Sequence, residues 1–163
     1  MAKELDTIET VRLLLRGIDL TDSEMIVKWR SIPEFFRYFK SPHQITIDEH
    51  LNWYRSSYLE NYNRFEWICI EKESGDRVGV FGLEKKEEEK VEISYLLAPE
   101  KQHKGFAIEA VKSLLEYATK RWDCKRVIAY IHQDNQPSIE LVLKLGFRVV
   151  ARDDPFVVYA IEV

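Results

Sequence analysis

The stretch that most constrains the fold of this chain is Gln102-His103-Lys104-Gly105-Phe106-Ala107, set between a strand-like run and a helical one. Upstream, Val91-Glu92-Ile93-Ser94-Tyr95-Leu96-Leu97-Ala98 has the β-branched and aromatic character of a strand. Downstream, from Phe106 to Tyr117, Ala107, Val111, Leu114, Leu115 and Ala118 recur at helical spacing. The first amides of a helix have no partners within it and lie at the positive end of its dipole, so a loop entering a helix favours a phosphate. Gly105 lets the main chain approach closely, Ala107 keeps that approach clear, and His103 and Lys104 add positive charge at the mouth. Taken alone, a glycine ahead of a helix also reads as an ordinary turn.

The rest of the chain supplies strands and helices in a mixed order. Thr10 to Arg16 reads as a first strand with Val11, Leu13 and Leu15 on one face. Thr21-Asp22-Ser23-Glu24 opens a helix carrying Met25, Ile26 and Trp29, and Glu34 to Lys40 is expected to be a short helix. Thr46-Ile47-Asp48-Glu49 is a capping box, followed by Leu51, Tyr54 and Tyr58 on one face. Arg64 to Glu71 and Arg77 to Leu83 form a hairpin around Glu73-Ser74-Gly75-Asp76, and Lys85 to Lys90 turns into the strand with Glu92. Lys125 to His132 is a strand, Asn135 to Gly146 a capped helix with a glycine stop, and Arg148 to Ala151 with Phe156 to Ile161 a final hairpin. The expected class is α+β: a central, mostly antiparallel sheet flanked by about four α-helices.

With 163 residues, the chain is read as a single domain over 1–163, with 1–9 an N-terminal extension or an unordered segment. A net charge of −4 gives no footprint for a nucleic-acid binder. Charge at Lys3, Glu4 and Asp6, with no long apolar run, argues against a signal peptide or a membrane span and for the cytoplasm. Cys69 and Cys124 have no metal-ligand spacing and read as small buried hydrophobes. His43, His50, His103 and His132 have no partners at ligand spacing, so no metal is implied.

The order strand, Gln-x-x-Gly-x-Ala, helix, strand, Asn135-x-x-Ser138 helix, Leu145-Gly146-Phe147, strand resembles the GNAT superfamily of acetyl-CoA-dependent N-acetyltransferases. The finer resemblance is to the branch holding ribosomal-protein N-terminal, spermidine and nucleotide-amino-sugar acetyltransferases. It is carried by Arg12-Leu13-Leu14-Leu15-Arg16, Tyr95 to Glu100 and Glu109-Ala110-Val111, and it runs from about Val11 to the C-terminus. It implies a sheet splayed around acetyl-CoA. The pyrophosphate falls to Gln102, His103, Lys104, Gly105, Phe106, Ala107 and Ile108, and the pantetheine arm to Tyr95, Leu96 and Leu97, paired as an added strand. A Leu97 amide would face the thioester oxygen, and Asn135 would contact the donor from the other side.

The same resemblance makes Glu92 the candidate base, although a solvated strand residue is an equal reading. Many relatives carry a tyrosine seven residues after the asparagine; here that position is Val142, which cannot donate a proton. Ser138 is then the implied proton donor, or else a capping residue, with Tyr130 and Tyr159 as further acids. Four aromatics within Phe35 to Phe39 exceed what one helix face can bury, so some are expected to line a cleft. Arg30, His50 and Phe39 are the acceptor-binding candidates, with an Arg30–Glu34 ion pair as the alternative for Arg30. The implied reaction is direct acetyl transfer to a primary amine. An amino sugar or nucleotide-linked amino sugar stands first among acceptors, and a peptide N-terminus or a polyamine next. A CoA-binding module without catalysis is the reading from another class, and pairing of the C-terminal strands leaves a homodimer open.

Overall fold

A computed structural model describes residues 3–163; Met1 and Ala2 of the expected extension lie outside the described residues. Eight strands form one sheet in the order β1-β2-β3-β4-β5-β6-β8-β7. They are β1 (Ile8–Glu9), β2 (Leu13–Gly17), β3 (Arg64–Glu71), β4 (Arg77–Lys85), β5 (Lys90–Leu97), β6 (Arg126–His132), β7 (Arg148–Asp153) and β8 (Phe156–Glu162). Every neighbouring pair is antiparallel except β5 and β6. That parallel pair needs a long crossover, which α4 (Phe106–Trp122) supplies. The other helices are α1 (Ser23–Arg30), α2 (Pro33–Phe36), α3 (Ile47–Trp53) and α5 (Gln136–Lys144).

Strand alternation sorts the side chains into two layers. On one face Trp67, Phe81 and Ile93 meet Val111, Leu114 and Ala118 of α4, with Val127, Ala129 and Val142 in the same core. On the other, Ile68 packs with Ile26, Trp29, Tyr54 and Tyr58, and Val80 and Leu96 lean on that cluster. Leu114 is fully buried, so its truncation to Ala would cost about 2–5 kcal/mol. The helical layer is tied to the sheet by Asp22, which is completely buried. Arg16 grips its two oxygens at 2.9 Å each, Arg77 Nε donates at 2.8 Å and the Asp19 amide at 3.0 Å. Burial alone would raise this carboxyl; the bonds from Arg16, Asp19 and Arg77 outweigh it and hold it below the usual range.

Four local expectations are corrected. Val11 does not face inward with Leu13 and Leu15: it is 92 % exposed, at the tip of a turn closed by the Thr10 amide on the Leu13 carbonyl at 2.9 Å. The strand therefore starts at Leu13, and residues 3–9 dock beside it, with Ile8 opposite Leu15 and the Asp6 carbonyl accepting from Trp67 Nε1 at 2.9 Å. The helix expected over Glu34 to Lys40 is a single turn, because Pro33 starts it and nothing buries its later residues. Only half of the Thr46 capping box forms, the Glu49 amide donating to Thr46 Oγ1 at 3.1 Å. Beyond α3 the chain widens into one π-turn over Tyr54–Tyr58, closed by the Leu59 amide on the Tyr54 carbonyl at 3.1 Å, which sends both tyrosines into the core.

Candidate active site

The pairing of β5 with β6 covers three registers, Lys90 with Arg126, Val91 with Val127 and Glu92 with Ile128, and then stops. From Ile93 onward the two strands diverge while β5 remains bound to β4. The Ala98 amide bonds back to Val78 at 2.8 Å, so by alternation the amides of Leu97 and Tyr95 point away from β4 into the split. At the far end of the split the chain makes a tight loop into α4. His103 and Gly105 both take positive φ, 61° and 79°, and no side chain caps the helix. The first-turn amides of Phe106, Ala107 and Ile108 are thus free to meet an anion.

This loop is braced from below. Lys101 is buried beneath it, its Nζ bonded to Glu71 at 2.9 Å and Asp76 at 2.8 Å, and those bonds raise its pKa. Arg12 Nη1 donates to the Lys104 carbonyl at 2.9 Å, its guanidinium lies 4.4 Å from the Phe106 ring, and its Nε meets Glu109 Oε1 at 2.7 Å. Phe106 itself is a core side chain, so only its backbone is available to a ligand. His103 and Lys104 are exposed at the mouth, and Gln102 is partly exposed.

The base of the split opens onto the face covered by α1 and α3. Register rows cross the sheet there: Arg64, Glu84 and Glu92 in one, Glu66, Gly82 and Ser94 in the next. Glu92 shares its face with Ser94 and Leu96 as alternation requires, and lies 3.6 Å from Lys86. Glu66, which sequence reasoning missed, is 7 % exposed and held through one oxygen by Arg64 Nε and Nη2 at 3.0 and 2.8 Å. Its second oxygen occupies the space a Cβ would need at Gly82, 2.6 Å away. A cleft of about 590 Å³ lined by Lys40, Lys86, Lys90, Glu92 and Tyr130 leads to a deeper one of about 240 Å³ reaching Glu66, Gly82 and Ser94. Lys40 closes over it, 4.1 Å above the Tyr130 ring, and Tyr38 rests 5.3 Å from the His132 ring.

Arg30, His50 and Phe39 do come together, although none of the three lines either cleft. Arg30 lies over Phe39 at 5.2 Å, and it has no ion pair with Glu34 among the described residues. His50 is 3 % exposed; burial first, and the Arg30 charge second, push its pKa down. Arg30 Nε and His50 Nε2 are both buried without a hydrogen-bond partner among the described residues. The aromatics Phe35, Phe36, Tyr38 and Phe39 are half-buried, and none of them lines either of the two clefts.

On the opposite side of the split stand Asn135 and Ser138 of α5. Neither caps the helix, since no side-chain hydrogen bond is made at its start. Val142 is wholly within the core, and Tyr159 is a core side chain too. The Tyr95 hydroxyl is buried and has no hydrogen-bond partner among the described residues. Burial pushes its pKa up to about 12, and Ser138 lies close enough to pull the other way. Among the described residues no group of three His, Cys, Asp or Glu could hold a metal, and no helix is long and apolar enough to cross a membrane.

A mixed sheet split after three parallel registers, with helix amides at one end of the split and a carboxylate at the other, belongs to an acyltransferase. The chain belongs to the family described as acetyltransferase (GNAT) domain, which matches residues 12–148. It is 30 % identical over 150 residues to the uncharacterized N-acetyltransferase p20 of Bacillus licheniformis, covering 88 % of this chain and 83 % of that one. A solved domain from Methanocaldococcus jannaschii superposes with a TM-score of 0.83 at 24 % identity, covering 97 % of this chain and 100 % of that one. Spermidine N-acetyltransferase from Vibrio cholerae, solved in complex with CoA and spermine, superposes at 0.82 with 18 % identity, covering 94 % and 96 %.

Proposed function

We propose that this chain moves an acetyl group from acetyl-CoA to a primary amine by direct attack, with both substrates bound together. The observation that carries this is the end of β5–β6 pairing at Glu92, which leaves the outward edge of Tyr95, Leu96 and Leu97 running from that carboxylate to the uncapped loop. The pantetheine arm would pair along that edge. The pyrophosphate would rest on the amides from Gln102 and His103 through Lys104, Gly105, Phe106, Ala107 and Ile108, with Asn135 on the other wall. The Leu97 amide would donate to the thioester oxygen as it gains charge.

Glu92 would take the proton from the ammonium, directly or through water, freeing the lone pair for attack on the thioester carbon. The new C–N bond forms as the C–S bond breaks, and Ser138 would donate a hydrogen bond to the departing sulfur. Val142, locked in the core, has no part in this. Arg30 and His50, each with a buried nitrogen unpartnered, would bind oxygen atoms of the acceptor, with Phe39 against its apolar side.

For the acceptor we favour a small amine that also carries oxygens or an anion, an amino sugar or nucleotide-linked amino sugar. Lys40, Lys85, Lys86 and Lys90 line the outer cleft, which suits an anion there and opposes a polycation. The carboxylates of Glu66, Glu84 and Glu92 deeper in favour the polyamine reading, and a peptide N-terminus is the third acceptor class. The test is thiol release from acetyl-CoA against UDP-amino sugars, amino sugars, polyamines and peptides. Turnover with any of them names the class. Acetyl-CoA raising the melting temperature without any turnover would favour the non-catalytic CoA-binding module.

A further inference from the structure

Arg16 and Arg64 each grip a carboxylate, but in different ways. Arg16 gives one nitrogen to each oxygen of Asp22. Arg64 turns Nε and Nη2 onto a single oxygen of Glu66, and among the described residues no donor meets the other, Oε2. Glu66 is 7 % exposed, and what it faces is the deeper cleft. A charged oxygen so buried is costly unless a ligand's donor completes it. Gly82, its register partner on β4, leaves room for the carboxylate, since a Cβ there would come 2.6 Å from Oε2. Ser94 is next in that row, and Glu92 lies two residues before it on the same face of β5. In the lining of the cleft, Lys40, Arg64 and Lys86 balance Glu66, Glu84 and Glu92, so its net charge favours neither sign. Recognition of a cation there must come from a particular oxygen.

We propose that Glu66 selects the acceptor as an ammonium: its Oε2 accepts one N–H of the protonated amine, and Gly82 keeps the place open. This rests on the acetyl-transfer reading above and names the group that seats the amine before Glu92 takes a proton from it. A primary ammonium has three N–H donors, so Glu66 holds one while Glu92, or a water on it, receives another. Glu66 itself takes no proton. The nitrogen is positive in the bound ammonium and again as it attacks the thioester carbon, so Glu66 binds both states alike. Uniform binding of that kind lowers KM and leaves kcat nearly alone. A hydroxyl in place of the amine brings one donor and no charge, so the same oxygen disfavours an alcohol.

The experiment uses whichever acceptor gives the fastest thiol release among UDP-amino sugars, amino sugars, polyamines and peptides, and compares the full chain with Glu66→Gln and Gly82→Ala. In Glu66→Gln, Arg64 holds the amide oxygen and turns the NH2 group toward the acceptor, which it repels. The acceptor KM is expected to rise about 10- to 100-fold, with kcat and the acetyl-CoA KM within about threefold. Gly82→Ala, whose new Cβ displaces only the end of the Glu66 side chain, is expected to raise the acceptor KM in the same way. In the wild type, the acceptor's hydroxyl counterpart, added as a competitive inhibitor, is expected to bind at least about tenfold more weakly than the amine. An acceptor KM unchanged in both variants, a loss shared equally by acetyl-CoA, or a hydroxyl counterpart bound as tightly as the amine would each overturn the proposal and leave acetyl transfer standing. No thiol release from the wild type with any acceptor would instead overturn the acetyl-transfer reading, and this proposal with it.

Discussion

Arg12 and Glu109 lie 97 residues apart in sequence and meet at 2.7 Å, and the same arginine holds the Lys104 carbonyl at 2.9 Å. The pair fastens the start of the sheet to the start of α4, and so fixes the loop between them. The Arg12 side chain is 43 % exposed, so the ion pair alone adds only about 0–1 kcal/mol to stability. Arg12→Ala should therefore leave the melting temperature nearly unchanged while weakening acetyl-CoA binding about tenfold, as measured by calorimetry. Equal affinity would mean the loop holds its shape without help.

Gly105 sits at φ 79°, where a side chain is strained by about 1 kcal/mol, and a Cβ would come within 3.3 Å of Arg12. Gly105→Ala should weaken acetyl-CoA binding moderately. Gly105→Glu, which adds a negative charge at the pyrophosphate position, should abolish it while the protein still folds. Retained affinity in the glutamate variant would refute the loop assignment.

Glu92→Gln keeps shape and removes the base. Turnover should fall by about 10²–10⁴, with acetyl-CoA affinity within about twofold. Lys86→Met, which removes only the cation at 3.6 Å, should have a far smaller effect. Comparable rates for Glu92→Gln and the wild type would take Glu92 out of the mechanism.

Asp22 is buried with four donors from three residues turned toward it, so its removal strands Arg16 and Arg77. Asp22→Ala should cost about 3 kcal/mol, a fall of roughly 10 °C in melting temperature. Calorimetry showing a drop under about 3 °C would mean that water replaces the carboxylate freely.

His50 has a pKa lowered by burial and by Arg30, which sets a pH dependence. Above about pH 6.5, the ordinary histidine value, it is neutral in both folded and unfolded chains and contributes nothing. As pH falls below that value the unfolded chain takes up a proton that the native one resists, so stability is lost. His50→Phe should flatten the decline in melting temperature between about pH 6.5 and 5, above the range where carboxylates titrate. An unchanged decline would place the acid sensitivity elsewhere.

Much of this fold could be read from the chain because its signals are local. Arg64 to Glu71 is a short run rich in aromatic and β-branched residues and forms a strand with those very ends, and Gly105 stands where a helix start needs a positive φ. Val11 misled because a β-branched residue two before Leu13 fits the alternation, while the turn that expels it depends on reciprocal hydrogen bonds between Thr10 and Leu13. Glu66 was invisible for a different reason. A glutamate on a strand reads as solvated until Gly82 is known to lie opposite, and that register is a fact of pairing rather than of sequence. The Arg12–Glu109 relationship likewise joins distant segments; its members could be singled out in the chain, but their partnership could not.

Val111, Leu114 and Ala118 of α4 share one core with Phe81 and Ile93 on one flank and with Val127 and Ala129 on the other. Past the third register, then, side-chain bulk rather than backbone bonding decides how far β5 stands from β6. A spacing set this way can be tuned in small steps, since one methylene more or fewer on the inner face of α4 shifts the strands without severing a ladder bond. The bore of this fold is adjustable from behind, and relatives could come to accept acyl groups of different girth with every residue at the front left as it is.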